Sequence, residues 1–279
     1  DPTSAPLEVG SFSGVDGAAD FDGDGRKEIV VRTRRLADDP WQSMLTLFRV
    51  EPASGRISRL ANVAVGWPER VGLSTSALGD LDGDGVPEIV SAGVPTITAI
   101  DRTDRVYVFA HQVSVAPDGT MTLAPQPGFA RFMAVDYDLY APSTYGDPRL
   151  GLALADLDDD GRAEIVLSGG NTVYVLEDNG AVFGGWVNPP TFIPRGPESR
   201  AVYYGRPGVG DVDGDGTLEV VVDRVERMGF FDCGFARGEG CCPALDGGRA
   251  RPSAVLALEL SGGAVAFEYP SGGVASSSA

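Results

Sequence analysis

Short stretches in which apolar residues alternate with small or polar ones recur along the chain, and they predict β-strands rather than helices. In the clearest stretch Leu150, Leu152 and Leu154 alternate with glycine and alanine, which is the two-residue period of a strand. Residues 71–78 and 202–209 form related stretches with a less regular alternation. Each stretch is followed by an acidic segment and then by a run of β-branched residues, which favours a second strand.

Two more strands are predicted after each β-branched run. The third strands cover residues 44–50, 106–113, 172–176 and 254–260. Each of them ends at a turn signal, and the fourth strands then begin near Ile57, Met121, Ala181 and Ala264. Four antiparallel strands per unit are what a propeller blade requires. We therefore predict an all-β fold, a β-propeller of four-stranded antiparallel blades, of which four repeats are visible.

The repeats extend over nearly the whole chain, which we interpret as one propeller domain or propeller fragment covering residues 1–279. The predicted repeats are approximately residues 15–70, 71–149, 150–205 and 206–270. No run of about 18 or more apolar residues occurs, so no segment is expected to span a membrane. The sequence starts at Asp1 with no apolar signal segment after it, and we interpret it as a mature form or an excised piece.

A nine-residue acidic motif occurs once in every repeat. Its four copies occupy residues 20–28, 80–88, 156–164 and 211–219, so that successive copies start 60, 76 and 55 residues apart. All of them have Asp at positions 1, 3 and 5, Gly at position 6 and Glu at position 9. Carboxylates with this spacing converge when the chain curls tightly, and the glycine permits the curl. Because Ca²⁺ takes about six to eight oxygen ligands, each motif predicts a calcium site.

Each predicted ligand set consists of the carboxylates at positions 1, 3, 5 and 9 and the backbone carbonyl at position 7. The four sets are Asp20, Asp22, Asp24, Arg26 and Glu28; Asp80, Asp82, Asp84, Val86 and Glu88; Asp156, Asp158, Asp160, Arg162 and Glu164; and Asp211, Asp213, Asp215, Thr217 and Glu219. A solvated turn is the alternative for any one Asp-Gly cluster, but four agreeing copies favour up to four Ca²⁺ ions. An EF-hand is rejected, because the bidentate Glu that it needs at position 12 is replaced by Val31, Ser91, Leu167 and Val222.

The net charge of −18 is concentrated in these motifs. They hold 17 of the 40 acidic residues, which leaves 23 acidic and 22 basic residues in the rest of the chain. Concentrated carboxylates repel one another unless a cation lies among them. No basic stripe is present to neutralise phosphates, so we expect no nucleic-acid partner.

The pattern Asp-x-Asp-Gly-Asp-Gly-x-x-Glu, followed by Ile or Val and then Val, resembles the FG-GAP and VCBS repeats of integrin-α-like propellers. Three copies keep both glycines, and the third has Asp159 in place of the first. The resemblance covers about residues 15–270. It implies a metal loop between the first and second strands of each blade, a propeller that usually has seven blades, and a function outside the cell. Four repeats are therefore either a smaller ring or part of a larger one.

We expect the calcium to be structural rather than catalytic. Extracellular modules commonly bind Ca²⁺ at about 10⁻⁴–10⁻³ M, so such sites fill outside cells and stay mostly empty in cytosol. The expected location is therefore extracellular, periplasmic or at the cell surface. The only histidine, His111, lies in a predicted strand, where a hydrogen-bonded or exposed side chain is expected rather than a catalytic base. No catalytic constellation is recognised, and no nucleophile elbow or phosphate-binding glycine loop is present.

Two further features are recorded as predictions. Cys233, Cys241 and Cys242 lie in one long segment, and a disulfide from Cys233 to either of the other two is favoured over a zinc site. Two insertions, residues 125–149 and 186–206, are rich in aromatic residues that either pack between blades or bind a ligand. These aromatic and Arg residues are Phe129, Phe132, Tyr137, Tyr140, Tyr145, Trp186, Phe192, Arg195, Tyr203 and Tyr204.

Three functions remain open at this point. The first is a calcium-stabilised adhesion or ligand-binding propeller with a protein or glycan partner. The second is a calcium-dependent polysaccharide-active enzyme such as a lyase, since some lyases resemble this repeat pattern. The third is a structural spacer in a larger surface protein. Neither the ligand nor the oligomeric state follows from the sequence.

Overall fold

The computed structural model describes residues 14–34, 43–65, 71–95, 106–130, 132–134, 150–169, 172–186, 200–227 and 253–271. Within these ranges the chain forms sixteen β-strands and no helix. The described residues accordingly contain no helix long and apolar enough to cross a membrane. The strands belong to four sheets, one for each acidic motif, and strands that follow one another along the chain pair as antiparallel neighbours.

The first two sheets follow the predicted strand order. The first consists of β1 (Gly14–Ala19), β2 (Glu28–Arg34), β3 (Ser43–Glu51) and β4 (Arg56–Ala64). The second consists of β5 (Val71–Gly79), β6 (Glu88–Pro95), β7 (Val106–Val115), β8 (Met121–Pro125) and β9 (Phe132–Ala134). β9 is an addition that the sequence pattern does not indicate, and it pairs with the start of β7 while β8 pairs with its end.

The third and fourth sheets differ in how complete they are. The third consists of β10 (Gly151–Ala155), β11 (Glu164–Gly169) and β12 (Thr172–Leu176), and the fourth of β13 (Arg200–Gly210), β14 (Glu219–Arg227), β15 (Ser253–Glu259) and β16 (Val265–Ser271). The fourth sheet therefore begins at Arg200, inside the stretch that the sequence pattern assigns to the third repeat.

The fourth strand predicted near Ala181 is wrong, because only one isolated bridge forms there, between Leu176 and Val182. Beyond this bridge the chain turns, with the Trp186 N–H donating to the carbonyl of Phe183 at 3.0 Å. The buried Trp186 indole Nε1 then donates to the carbonyl of Val173 at 3.0 Å. The chain buries the indole with its N–H hydrogen-bonded, and it turns here instead of continuing as a fourth strand.

The all-β fold class with antiparallel, blade-type sheets is confirmed. In each sheet the second strand pairs with the first across the acidic loop, and the third strand pairs with the second. The contacts divide the chain into two compact units, one of residues 1–137, 154–165 and 176–182 and the other of residues 138–153, 166–175 and 183–279. The prediction of a single domain stays a prediction.

In the first unit, an apolar core lies between the first two sheets. It consists of Phe21, Val30, Leu45, Leu47, Val65, Ile89 and Met121, all of which are buried. Polar contacts also join the sheets: the Leu73 N–H donates to the Ser43 hydroxyl at 2.9 Å, and Arg32 Nη1 donates to the Leu73 carbonyl at 3.3 Å. These contacts join the first two sheets, each of which carries an acidic loop.

In the second unit, β10 and β13 approach each other closely. A Cβ added to Gly151 would collide with the carbonyl oxygen of Gly205, so the position requires glycine. The Ser168 hydroxyl donates to the same carbonyl at 2.7 Å. Adjacent sheets of this unit are thus in backbone contact.

Candidate metal centres

Each acidic loop connects the first strand of its sheet to the second. The loops lie between β1 and β2, β5 and β6, β10 and β11, and β13 and β14. The position-9 glutamate is in each case the first residue of the second strand. This is the placement expected from the sequence, and it brings the start and the end of each loop together at one end of a strand pair.

Two residues with positive φ produce the curl of every loop. Position 6 is Gly with φ between 84° and 92°, a conformation that L-residues rarely adopt. Position 4 also has positive φ, and in the third loop it is Asp159, with φ 62°. Asp tolerates this region better than most residues because of its short polar side chain. The sequence pattern thus reflects a backbone requirement as well as a ligand requirement.

The position-1 aspartate closes the loop from inside. Its Oδ2 accepts the N–H of the position-6 glycine at 2.8 Å in the first loop, 2.8 Å in the second, 2.9 Å in the third and 3.1 Å in the fourth. Its Oδ1 accepts a further N–H from position 4 or 5. These hydrogen bonds fix the position of the side chain inside the loop.

The position-9 glutamate is the buried member of each loop. Glu28, Glu88, Glu164 and Glu219 are 0 to 3% exposed. In each loop its Oε2 accepts the N–H of position 2, at distances between 2.6 and 3.0 Å. Position 2 is itself buried in the first three loops, as Phe21, Leu81 and Leu157, whereas Val212 of the fourth is 52% exposed.

Three of the five predicted ligands of each loop converge. Oxygens of positions 1, 3 and 9 lie within 4.8 Å of one another in all four loops, so each cluster could hold a metal ion. The position-5 aspartate has a different contact, since its Oδ1 accepts the N–H of position 7 at 2.7 to 2.8 Å. This bond keeps the turn closed, and the ligand roles of positions 5 and 7 stay predictions.

Burial and mutual repulsion act on the closing glutamates of the second and third loops. Burial, together with the neighbouring aspartates, raises the pKa of Glu88 to about 7 and that of Glu164 to about 7. A cation among these carboxylates would relieve both effects, because opposite charge favours the ionised form. The donors are all hard oxygens, which fit Ca²⁺ and offer none of the nitrogen or sulfur ligands that zinc prefers.

The first loop contains an internal cation that sequence reasoning did not find. The Arg49 guanidinium, from β3, lies among the loop carboxylates: Nη2 is 2.5 Å from Asp22 Oδ2 and 2.6 Å from Glu28 Oε1. Arg49 Nε donates to the same Glu28 oxygen at 2.9 Å, and Nη1 is 3.8 Å from Asp24 Oδ2. These bonds raise the pKa of Arg49 and lower that of Asp22.

The second loop is contacted by the neutral amide of Gln126 and not by a cation. Gln126, which follows β8 and is 7% exposed, donates from Nε2 to Asp82 Oδ2 at 3.0 Å. Its Oε1 is buried and has no hydrogen-bond partner among the described residues. The amide therefore fixes the orientation of the position-3 carboxylate without neutralising it.

The second and third loops are neighbours in the first unit. The N–H of Ala163 donates to the carbonyl of Asp80 at 2.8 Å, and Arg162 Cγ lies 3.7 Å from where a Cβ on Gly83 would be. The Arg162 guanidinium pairs with Asp178 at 2.7 Å.

The fourth loop has an additional carboxylate nearby. Glu219 is directly opposite Glu259 in the pairing of β14 with β15. Burial raises the pKa of Glu259, and so do Glu219, Asp213 and Asp215. The Thr217 hydroxyl and N–H both donate to Asp215 Oδ1 and lower the pKa of that residue.

Three residues that contact or adjoin the loops were thus missed: Arg49, Gln126 and Glu259. For Arg49 and Glu259, the register of the predicted strands could have shown that they lie beside a loop glutamate. In antiparallel pairing, the residue after Phe48 adjoins Glu28, and the residue paired with Glu219 is Glu259. Aligning the third strands of the repeats would have shown Arg49, Gln112 and Glu259 at equivalent positions, with three different charges.

His111 and the aromatic insertions were also singled out from the sequence. His111 lies in β7 as expected, but it is 5% exposed and its Nδ1 has no hydrogen-bond partner among the described residues. The expectation of a hydrogen-bonded or exposed side chain therefore does not hold at this nitrogen, because apolar strands cover it. Burial lowers its pKa to about 4. Trp186 is buried, which supports packing rather than ligand binding for this residue.

The remaining predictions of this kind lie outside the described residues or side chains. They concern the disulfide among the cysteines and most of the aromatic insertions. The residues are Cys233, Cys241, Cys242, Phe132, Tyr137, Tyr140, Tyr145, Phe192, Arg195, Tyr203 and Tyr204.

Comparison with known proteins supports the repeat assignment. Residues 156–222 match the model of the FG-GAP-like repeat, a segment that contains the third and fourth acidic loops and is less than half of the chain. No curated protein matches the chain in sequence.

Several solved structures are similar to the chain at low identity. Rhamnogalacturonan lyase YesW is 17% identical over 93% of this chain and 51% of its own, with a TM-score of 0.42. The exotype rhamnogalacturonan lyase YesX is 16% identical over 93% of this chain and 50% of its own, with a TM-score of 0.37. A Bacillus licheniformis rhamnogalacturonan lyase is 15% identical over 94% and 53%, with a TM-score of 0.35. The chain thus spans about half the length of each.

Proposed function

We propose that the chain is a calcium-binding propeller module that acts outside the cell, and that the ions stabilise its blades. The observation that carries this proposal is the convergence of three carboxylates within 4.8 Å in every one of four loops. Each cluster brings three carboxylates into a small volume, and ionising all of them is unfavourable without a cation. The repeat match over residues 156–222 supports the same conclusion.

Calcium suits these loops better than other divalent ions. Mg²⁺ requires near-ideal octahedral geometry and releases its water reluctantly, whereas Ca²⁺ accepts irregular arrangements of carboxylate and carbonyl oxygens. In each loop that binds an ion, the carboxylates of positions 1, 3 and 9 would hold it. The position-5 carboxylate and the position-7 carbonyl are proposed to complete the shell.

The role proposed for calcium is structural. Where an ion binds, it would join the start of the loop to the first residue of the second strand, and so would hold two strands of one sheet together. Binding to the folded state alone stabilises it by about 2.7 kcal/mol per site at a hundredfold excess over Kd. Sites with Kd values of about 10⁻⁴–10⁻³ M fill only outside the cytosol, which supports an extracellular, periplasmic or cell-surface location.

Calorimetric titration tests the metal assignment. Calcium is expected to bind with Kd in the submillimolar to millimolar range, and magnesium at least tenfold more weakly. Asp82→Asn and Asp213→Asn should each remove one binding event. Equal affinity for both ions would contradict the preference for calcium, and an unchanged isotherm in both variants would contradict binding at these loops.

The proposed partner of the module is a protein or a glycan, bound in an adhesion or scaffold role. A glycan array probed with the calcium-loaded chain tests the glycan part of this proposal. Binding that is lost on chelation is the expected result. Binding to no glycan would favour a protein partner or the spacer function.

A further inference from the structure

The four acidic loops are not equivalent, because the residue that adjoins the closing glutamate from the third strand differs in charge. In the first sheet this residue is Arg49, whose guanidinium contacts Glu28. In the second sheet Ile89 pairs with His111, which places the neutral Gln112 next to Glu88. In the fourth sheet Glu219 pairs with Glu259. The third-strand residue beside the closing glutamate is therefore positive in the first sheet, neutral in the second and negative in the fourth, although the three loops share one motif.

The Arg49 guanidinium binds two of the three carboxylates that a metal ion in the first loop would need. Its Nη2 lies 2.5 Å from Asp22 Oδ2 and 2.6 Å from Glu28 Oε1, two of the three carboxylates that converge in the first loop. A calcium ion in this loop would need the carboxylates of the same two residues as ligands. Since both groups are positively charged and share these ligands, they exclude each other.

Arg49 is also held firmly where it is. Its side chain is 17% exposed, and Glu28, its main partner, is 0% exposed. The guanidinium makes three hydrogen bonds to these carboxylates. Arginine stays charged at any pH at which the protein is folded, so the first loop cannot lose this cation by titration.

We propose that Arg49 is the permanent cation of the first loop, so that this loop binds no calcium and the chain binds three ions. The inference rests on the proposed function, in that the other three loops are taken to bind calcium. In the first loop the same backbone curl is kept, with Gly23 and Gly25 at positive φ. The guanidinium thus joins the loop to β2 and β3 without a metal ion, where the other loops would use calcium.

Dialysis of the chain against radioactive calcium at saturating concentration tests this inference. Three ions are expected for the wild type and four for Arg49→Gln, which removes the charge. Arg59→Gln is the matched control, because Arg59 lies exposed on β4 of the same sheet and should leave three. Four ions in the wild type, or three in Arg49→Gln, would overturn the role of Arg49 while leaving calcium binding intact. No bound calcium in any of these proteins would contradict the proposed function instead.

A second set of variants covers the case in which Arg49→Gln does not fold. Asp82→Asn, Asp158→Asn and Asp213→Asn alter the position-3 carboxylate of the second, third and fourth loops. Each should reduce the count from three to two. If any of them retains three ions, the first loop must be occupied or that loop must be vacant, and the inference is wrong.

Discussion

Glu219 and Glu259 lie directly opposite each other on β14 and β15, and the carboxylates of Asp211 and Asp213 converge on the first of them. Like charges at opposite positions of an antiparallel pair are destabilising. The raised pKa of Glu259 reflects this, with burial as its largest cause and Glu219 as the next. The fourth loop thus has a further carboxylate beside its own cluster, which adds to the repulsion that a cation would relieve.

Replacing Glu259 with glutamine should therefore stabilise the protein without calcium and reduce the stabilisation that calcium adds. In the presence of chelator the variant should unfold at a higher temperature than the wild type, because one repulsive charge is removed. The rise in unfolding temperature on adding calcium should be smaller in the variant. Glu268→Gln on β16 is the control, since Glu268 pairs with Arg224 at 2.5 Å and its loss should bring no gain. A lower unfolding temperature of Glu259→Gln in chelator would contradict the account.

The positive φ of the position-6 glycine can be tested by substitution. Gly216 has φ 92°, so Gly216→Ala should destabilise the chelated protein by roughly 1–2 kcal/mol through strain alone, because an added Cβ would meet no atom within 4 Å. Gly210→Ala is the matched control: it ends β13, has equal space and lies outside the left-handed region. Alanine there should be neutral or stabilising by about 0.5–1 kcal/mol. Urea unfolding measures both, and equal effects would refute the assignment of strain to Gly216.

A buried ion pair in the first sheet should contribute strongly to stability. Arg32 Nε donates to both oxygens of Asp16, at 2.6 and 2.8 Å, and the Asp16 side chain is 1% exposed. Arg32→Ala leaves this carboxylate buried without its guanidinium, at a cost of about 3–5 kcal/mol in urea unfolding. Arg26→Ala breaks an exposed contact to Glu51 at 3.6 Å and should cost less than about 1 kcal/mol. A loss below about 1 kcal/mol for Arg32→Ala would disprove this role.

His111 should make the protein acid-sensitive in a defined range. Its pKa is about 4 in the folded chain and 6.5 ordinarily, so the unfolded chain binds the proton first as pH falls. Its contribution is full above about pH 6.5 and is lost progressively down to about pH 4, by up to about 3 kcal/mol. His111→Leu removes this term, so the stability of the variant relative to the wild type should rise as pH falls from 7 to 5. A constant difference would show that His111 does not titrate in this way.

The sequence was sufficient for everything that depends on neighbouring residues. Positions 1, 3 and 9 of a loop converge because one short curl determines their distances, and the glycine of position 6 marks that curl. The strands beside the loops were predictable for the same reason, since alternation and turns are local signals. Position 5 was assigned as a ligand from spacing alone, but in the structure its carboxylate also closes the turn on the N–H of position 7.

The features that could not be predicted depend on residues far apart in the chain. Arg49 reaches Glu28 only through the register of β2 and β3, and Gln126 reaches Asp82 across 44 positions. Among the described residues the third sheet has three strands, and the chain after them turns at Trp186, whose indole N–H donates to the carbonyl of Val173. Loop spacing carries no information on such contacts, because they follow from how separate strands pair and pack.

Thermal unfolding in buffers of defined free calcium tests the central claim most directly, namely that the acidic loops bind calcium and thereby stabilise the blades. The unfolding temperature should rise steadily with the logarithm of calcium concentration above about 10⁻⁴ M, and chelator should reverse the rise. Magnesium at the same concentrations should have a much smaller effect. An unfolding temperature that is the same in chelator and in 10⁻² M calcium, about tenfold above the weakest expected Kd, would contradict the claim.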